Sequence, residues 1–208
     1  MRPNLARVIL LAPLATAALV AGCALSTRPP LVKEMFLLDP PPPAVVAATR
    51  QGSARIGVVT IAAPFRDRSF VVRESELRFT TDFYREWVVP PSAMLGEATA
   101  RGLDRARAFT RVVPPGAAPD SDWVIDIFVS ALYVDARDAA RPAAALTITF
   151  FVSRANSLGV PVWSKEYTRR APLAATSSET YVAAQNAALG EILSEFARDI
   201  AAAQLPAR

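Results

Sequence analysis

Residues 121–136 read SDWVIDIFVSALYVDA. Trp123, Ile125, Ile127, Val129, Ala131 and Tyr133 recur at every second position, so an extended chain puts them on one face. The other face mixes Asp126 and Ser130 with Val124, Phe128 and Leu132. A period of two belongs to a strand. One uniform face and one mixed face predict a sheet that packs against a core on one side only.

The neighbouring segments follow from that strand. AAALTITFFVSRA (143–155) and PVWSKEYTRR (161–170) read as two further strands, joined by the turn NSLG. Upstream, ARIGVVTIAAP (54–64) is a β-branched run that Pro64 ends, and it reads as a buried strand. RSFVVRE (68–74) and LRFTTDFYREW (77–87) predict a strand pair, and TRVVPPG (110–116) a short strand. EMFLLD (34–39) is a short strand stopped by the four prolines 40–43.

Two segments carry the helical period instead. In PPSAMLGEATARGLDRARAF (90–109), Leu95, Ala98, Gly102, Ala106 and Phe109 follow i, i+3, i+4 spacing, with Ser92 as the expected cap. A second helix starts near Thr176, where Thr176 and Glu179 fit a capping box. Tyr181, Ala188, Leu189, Ile192, Leu193, Phe196 and Ile200 make its apolar stripe. The expected fold is α+β: one domain, residues 34–205, with a mostly antiparallel sheet and two main helices on one face.

The N-terminus has a different character. Arg2 and Arg7 precede the apolar run VILLAPLATAALVA, and Ala21 and Gly22 precede Cys23, the single cysteine. This is the shape of a signal peptide over residues 1–22. Pro13 interrupts the run, which is also short for a spanning helix of roughly 20 residues. VAGC resembles the bacterial lipobox, so Cys23 is the expected lipid attachment point. Two or more acyl chains anchor stably where one is marginal. Residues 23–33 then form a lipidated N-terminus and tether. Ala24, where Asp would favour the inner membrane, points to the outer membrane and its periplasmic face.

Composition narrows the function. The chain of 208 residues has 23 basic and 19 acidic side chains, and without Arg2 and Arg7 the balance falls to +2. No basic cluster with interleaved aromatics points to nucleic acid. The absence of histidine removes the commonest general base and metal ligand. Ser69 and Ser75 therefore lack a His partner, and only Lys33 and Lys165 could serve a Ser–Lys dyad. The pairs Glu74/Glu76 and Asp135/Asp138 sit at expected turns, where a solvated surface is the plain reading. No enzyme activity and no cofactor are expected. The stretch FRDRSFVVRESELRFTTDFYREWVVPPSAML (65–95) interleaves arginines with aromatics. It reads either as a strand pair with one aromatic face or as an interaction surface, because Arg, Tyr and Trp anchor interfaces. On the second reading Arg73, Tyr84, Arg85 and Trp87 contact a partner.

The lipobox, the MFLL strand before prolines, DRSFVVR, DFYREWVVPPSAML and the closing amphipathic helix together resemble the ABC-type transport auxiliary lipoproteins. That family includes the paraquat-inducible protein C-like lipoproteins. The likeness runs from about residue 34 to the C-terminus, and its best markers are Arg73, Tyr84, Trp87, Pro90 and Pro91. Phe36 stands where relatives most often carry Tyr. The resemblance implies a non-enzymatic outer-membrane lipoprotein. Its partners would be an MCE-domain periplasmic protein and an inner-membrane ABC permease and ATPase, in a system that moves phospholipids or other apolar molecules. Homo-oligomer assembly stays open. So do two other functions: a stand-alone hydrophobic-ligand carrier with a cavity lined by DWVIDIFV and LTITFFV, and a scaffold that regulates envelope enzymes.

Overall fold

The alternating stretch is the central strand of the sheet. The computed structural model describes residues 32–116, 120–157 and 159–205, so Cys23 and most of the tether lie outside the described residues. In chain order the elements are β1 (Glu34–Phe36), β2 (Arg50–Ile61), a 3₁₀ turn (Ala63–Phe65), β3 (Ser69–Arg73), β4 (Phe79–Trp87), α1 (Pro91–Arg105), β5 (Phe109–Val113), β6 (Trp123–Asp135), β7 (Ala143–Arg154), β8 (Pro161–Pro172) and α2 (Ser178–Ala202). The unit from Lys33 onward is one α+β body with an open, mixed sheet of eight strands.

β6 pairs antiparallel with β7 along its whole length, and β7 pairs antiparallel with β8. The other edge of β6 is shared. Trp123–Val129 pair with β2, and Val134–Asp135 pair with β3, both parallel. β3 and β4 form an antiparallel hairpin, β1 adds parallel to β4, and β5 adds parallel to β2. Hairpins account for the antiparallel pairs, and the parallel pairs join strands far apart in sequence.

A register shift between Val129 and Ala131 changes the pattern of β6. Before it, Trp123, Ile125, Ile127 and Val129 are buried, as the alternation predicts. After it the parity inverts. Leu132 is buried, while Ala131 and Tyr133 are only half-buried. A bulge inserts one residue and swaps the faces beyond it. Tyr133 thus stacks on Phe65 instead of entering the core beneath the helices.

Both helices cover one face. α1 packs on β2 and β5, α2 packs on β7 and β8, and the helices touch each other. Every residue of the predicted α2 stripe is buried. The start of α2 differs by one position. Ser177 is the N-cap and makes a reciprocal box with Thr180, not Thr176 with Glu179. α1 starts with Pro90 as N-cap and Pro91 at its first position, and Ser92 makes no cap. Proline suits that place because its missing N–H would be unpaired there. α1 ends earlier than the spacing predicts. Arg107 adopts φ 55°, and the N–H groups of Arg107 and Ala108 donate to the carbonyls of Asp104 and Leu103. This is a Schellman stop with arginine in the place usually held by glycine. Phe109 consequently opens β5.

The four prolines form a strap across both helices. Pro41 lies against Gly190 of α2, where an added Cβ would come within 2.7 Å of the ring. Pro43 lies over Gly102 of α1. Asp39 N–H donates to Asn186 Oδ1 at 2.8 Å, and Arg101 pairs with the Asp39 carboxylate at 3.4 Å. Small residues on the helices let the strap approach, and prolines need no partners for N–H groups they lack.

Candidate functional site

The hairpin β3–β4 with edge strand β1 carries all four described residues expected to bind a partner. It does not present them alike. Trp87 is 1% exposed. Its ring packs 4.6 Å from Phe70 and 5.9 Å from Tyr181, which fixes the hairpin to the start of α2. Trp87 is therefore a core residue, contrary to its expected place on the surface.

Arg73 is also an internal brace, with 20% of its side chain exposed. Its Nη2 donates to Glu76 O at 3.0 Å and Glu76 Oε2 at 2.9 Å, and its Nε donates to Ser75 O at 3.3 Å. The guanidinium lies 5.4 Å from the centre of the Phe79 ring. These contacts close the β3–β4 turn. They also join a longer chain of charges, because Glu76 accepts from Arg137, and Asp135 accepts from Arg137 and Arg170.

Asp135, the last residue of β6, is buried, although the sequence places it at a solvated turn. The Arg137 guanidinium, 2.7 Å away, holds its carboxyl well below the usual carboxylate range despite burial, and Arg170 adds to this. The sign for stability follows. The unfolded carboxyl titrates near pH ~4, so this stabilisation is complete above that pH and fades as pH falls toward the lower folded value. Asp135→Asn should lose about 2 kcal/mol at pH 7, the size of a hydrogen bond to a charged group. Urea melts at several pH values check this, and the gap between wild type and variant should narrow below pH ~4.

Tyr84 and Arg85 do reach the surface. Tyr84 meets Phe83 edge-on, with ring centres 5.2 Å apart. The Arg85 side chain is half exposed, and it pairs with Asp82 at 3.2 Å and Glu34 at 3.3 Å. Asp82 foremost, then Glu34, raise its pKa. Asp82 also accepts the N–H groups of Tyr84 and Arg85, which fixes the local bend of the strand. Arg85 and Asp82 rim a groove of about 160 Å³ that reaches Phe70, Val72, Leu173 and Tyr181. An arginine at the mouth of an apolar groove can hold an acidic partner group while an apolar side chain enters beside it.

The opposite side of the same edge carries residues that the sequence reading did not single out. The register sets Glu34 beside Arg85 and Met35 beside Glu86, so the two pairs face opposite ways. Phe36 and Leu38 turn inward, while Met35 and Leu37 are exposed. Phe83 is 70% exposed, and the Lys33 ammonium lies 4.8 Å from its ring centre. Lys33 and Arg68 both pair with Glu86. The alternation within MFLL was the available signal.

The stretches DWVIDIFV and LTITFFV, proposed as cavity walls for a carrier, are filled with packed side chains on the helix side. Ile125, Ile127, Phe150 and Val152 are buried, and Phe150 stacks on Phe196 at 4.0 Å.

Comparison with known proteins places this arrangement. The fold is similar to that of XCC0632 from Xanthomonas campestris, a DUF330 protein, with a TM-score of 0.70 and 17% identity over 80% of this chain and 94% of that one. A structure titled only as an uncharacterized protein has a TM-score of 0.63 and 12% identity, over 81% of this chain and 99% of that one. Lipoprotein GNA1162 from Neisseria meningitidis is a more distant likeness, with a TM-score of 0.39 and 14% identity over 73% of this chain and 99% of that one. No curated protein matches the chain. Residues 36–201, which hold every element from the end of β1 through nearly all of α2, match the family described as the ABC-type transport auxiliary lipoprotein component, and the chain belongs to that family.

Proposed function

We propose that the protein is the membrane-anchored, non-catalytic component of an ABC/MCE-type intermembrane lipid transport system. Cys23 carries the lipid, and the domain faces the periplasm from the outer membrane. The observation that supports this reading is the family match over residues 36–201, preceded by VAGC at a signal-peptide boundary. The partners are an MCE-domain periplasmic protein and, beyond it, an ABC permease and ATPase. Nucleotide is used by the ATPase.

Anchoring is tested at Cys23. Cys23→Ser removes the only thiol that can take a diacylglycerol. Metabolic labelling with a fatty acid should mark the wild type and leave the variant unmarked. Equal labelling of both would remove the lipoprotein reading.

Docking is assigned to Arg85 at the Phe70–Tyr181 groove, with Tyr84 exposed next to it in the strand. Loss of an arginine from an interface centre costs about 2 kcal/mol or more, over tenfold in affinity. Arg85→Ala and Arg85→Glu should therefore lose co-purification with the periplasmic partner. Thermal melts should be close to wild type for Arg85→Ala, because exposed ion pairs contribute little. Full recovery of the partner by folded Arg85→Glu would move the interface elsewhere. Arg73 is unsuited to this test because its substitution opens the β3–β4 turn.

A further inference from the structure

Scattered exposed apolar residues are ordinary, but a cluster rimmed by charge at one edge marks a contact surface. Met35, Leu37 and Phe83 form such a cluster at the outer side of β1 and β4, joined through Lys33, which lies over the Phe83 ring and pairs with Glu86, the register neighbour of Met35. The ammonium of Lys33, over the Phe83 ring, and the guanidinium of Arg68, 3.4 Å from Met35 Sδ, stand at its rim. We infer that this outer side of the β1–β4 edge seats on a phospholipid surface. The inference rests on the anchoring proposed for Cys23.

Chain length selects this occupant. The compact unit begins at Lys33, inside the patch itself. Ten chain steps lead from Cys23 to Lys33, a reach of at most roughly 35 Å. Lipid at Cys23 therefore keeps this edge within that reach of the bilayer before any protein partner arrives. A tether turns a weak surface preference into an intramolecular one with a high effective concentration. The side chains suit an interface. An aromatic ring and apolar side chains enter the headgroup boundary, while Lys33 and Arg68, which share the one carboxylate of Glu86, keep a net positive charge beside them for phosphates. The groove beside Arg85 opens on the side of the Glu34–Arg85 pair, opposite the Met35–Glu86 pair, so both contacts can coexist, with Tyr84 against Phe83 at the boundary.

The native cysteine is consumed by lipid, so an introduced cysteine supplies the only free thiol. Lipidated full chains bearing Phe83→Cys, or Glu166→Cys on β8 as a control, are labelled with an environment-sensitive fluorophore. They are then reconstituted into vesicles of phosphatidylethanolamine and phosphatidylglycerol that contain nitroxide lipid. β8 lies five strands from β1, about 24 Å at the usual strand spacing. Position 83 should be quenched and blue-shifted, and position 166 should not. An unquenched position 83 on chains that stay with the vesicles overturns the inference and leaves the anchor standing. Equal quenching at both positions, or protection of position 83 only after a second copy or a protein partner is added, also overturns it. Chains that leave the vesicles remove the anchor, and the seated edge with it.

Discussion

Phe196→Ala should lower the melting midpoint of the protein by roughly 6–20 °C. Phe196 is fully buried and meets three other rings. It stacks on Phe150 at 4.0 Å and on Trp163 at 5.6 Å, and it meets Tyr167 edge-on at 6.1 Å. Truncation removes the face that joins α2 to β7 and β8 together. Phe→Ala in a core costs about 3–5 kcal/mol, and a domain of this size shifts about 2–4 °C per kcal/mol. Phe196→Leu keeps most of the volume and should cost much less. Thermal and urea melts followed by far-UV circular dichroism decide it. An unchanged midpoint would mean that the stripe of α2 is not the core.

Trp87→Ala should cost a similar amount, about 3–5 kcal/mol. The indole fills the space between Phe70, Tyr181 and the end of β4. Its backbone is also held, because its N–H donates to Arg68 O and its carbonyl accepts from Arg68 Nε, both at 2.7 Å. The contrast with the interface reading is sharp. A surface anchor would lose partner affinity and keep its midpoint, whereas the buried ring loses its midpoint first. Trp87→Phe should recover most of the loss, and paired melting and co-purification assays on both variants separate the two roles.

The sequence made the elements legible wherever one period runs unbroken. The stripe of α2 from Tyr181 to Ile200 is buried as read, and so is β6 from Trp123 to Val129. Legibility failed where a single residue changes the geometry. The bulge after Val129 leaves no composition signal, because Ser130 and Ala131 fit either parity. The stop of α1 is hidden because Arg107, not glycine, takes the left-handed conformation. Hairpin neighbours could be inferred from short turns. The parallel pairs β1–β4, β2–β5, β2–β6 and β3–β6 join distant segments, and nothing local encodes them.

The candidate site was legible as a segment and not as a set of side chains. Arg and Trp suit an interface and an interior brace equally well, since each joins an apolar body to polar donors. Which role Arg73 and Trp87 take depends on Phe79, Glu76 and Tyr181, and Tyr181 stands 94 positions beyond Trp87 in the chain. Met35 and Phe83 lie in segments legible in the sequence, but their shared side exists only once β1 lies beside β4.

The proline strap gives the domain a mechanical character. Any pull on the chain before Lys33 enters through β1, which is held to β4 by only three paired residues. Behind them, Pro41 is keyed against Gly190 and Pro43 lies over Gly102, with Asp39 tied to Asn186 and Arg101. A chain drawn out past β1 would have to drag stiff proline rings across two helices, because polyproline segments do not stretch or coil easily. The strap acts as a strain relief, like the clamp on a cable. A load applied before Lys33 would then be taken up at the helix layer ahead of β2 and the central strands.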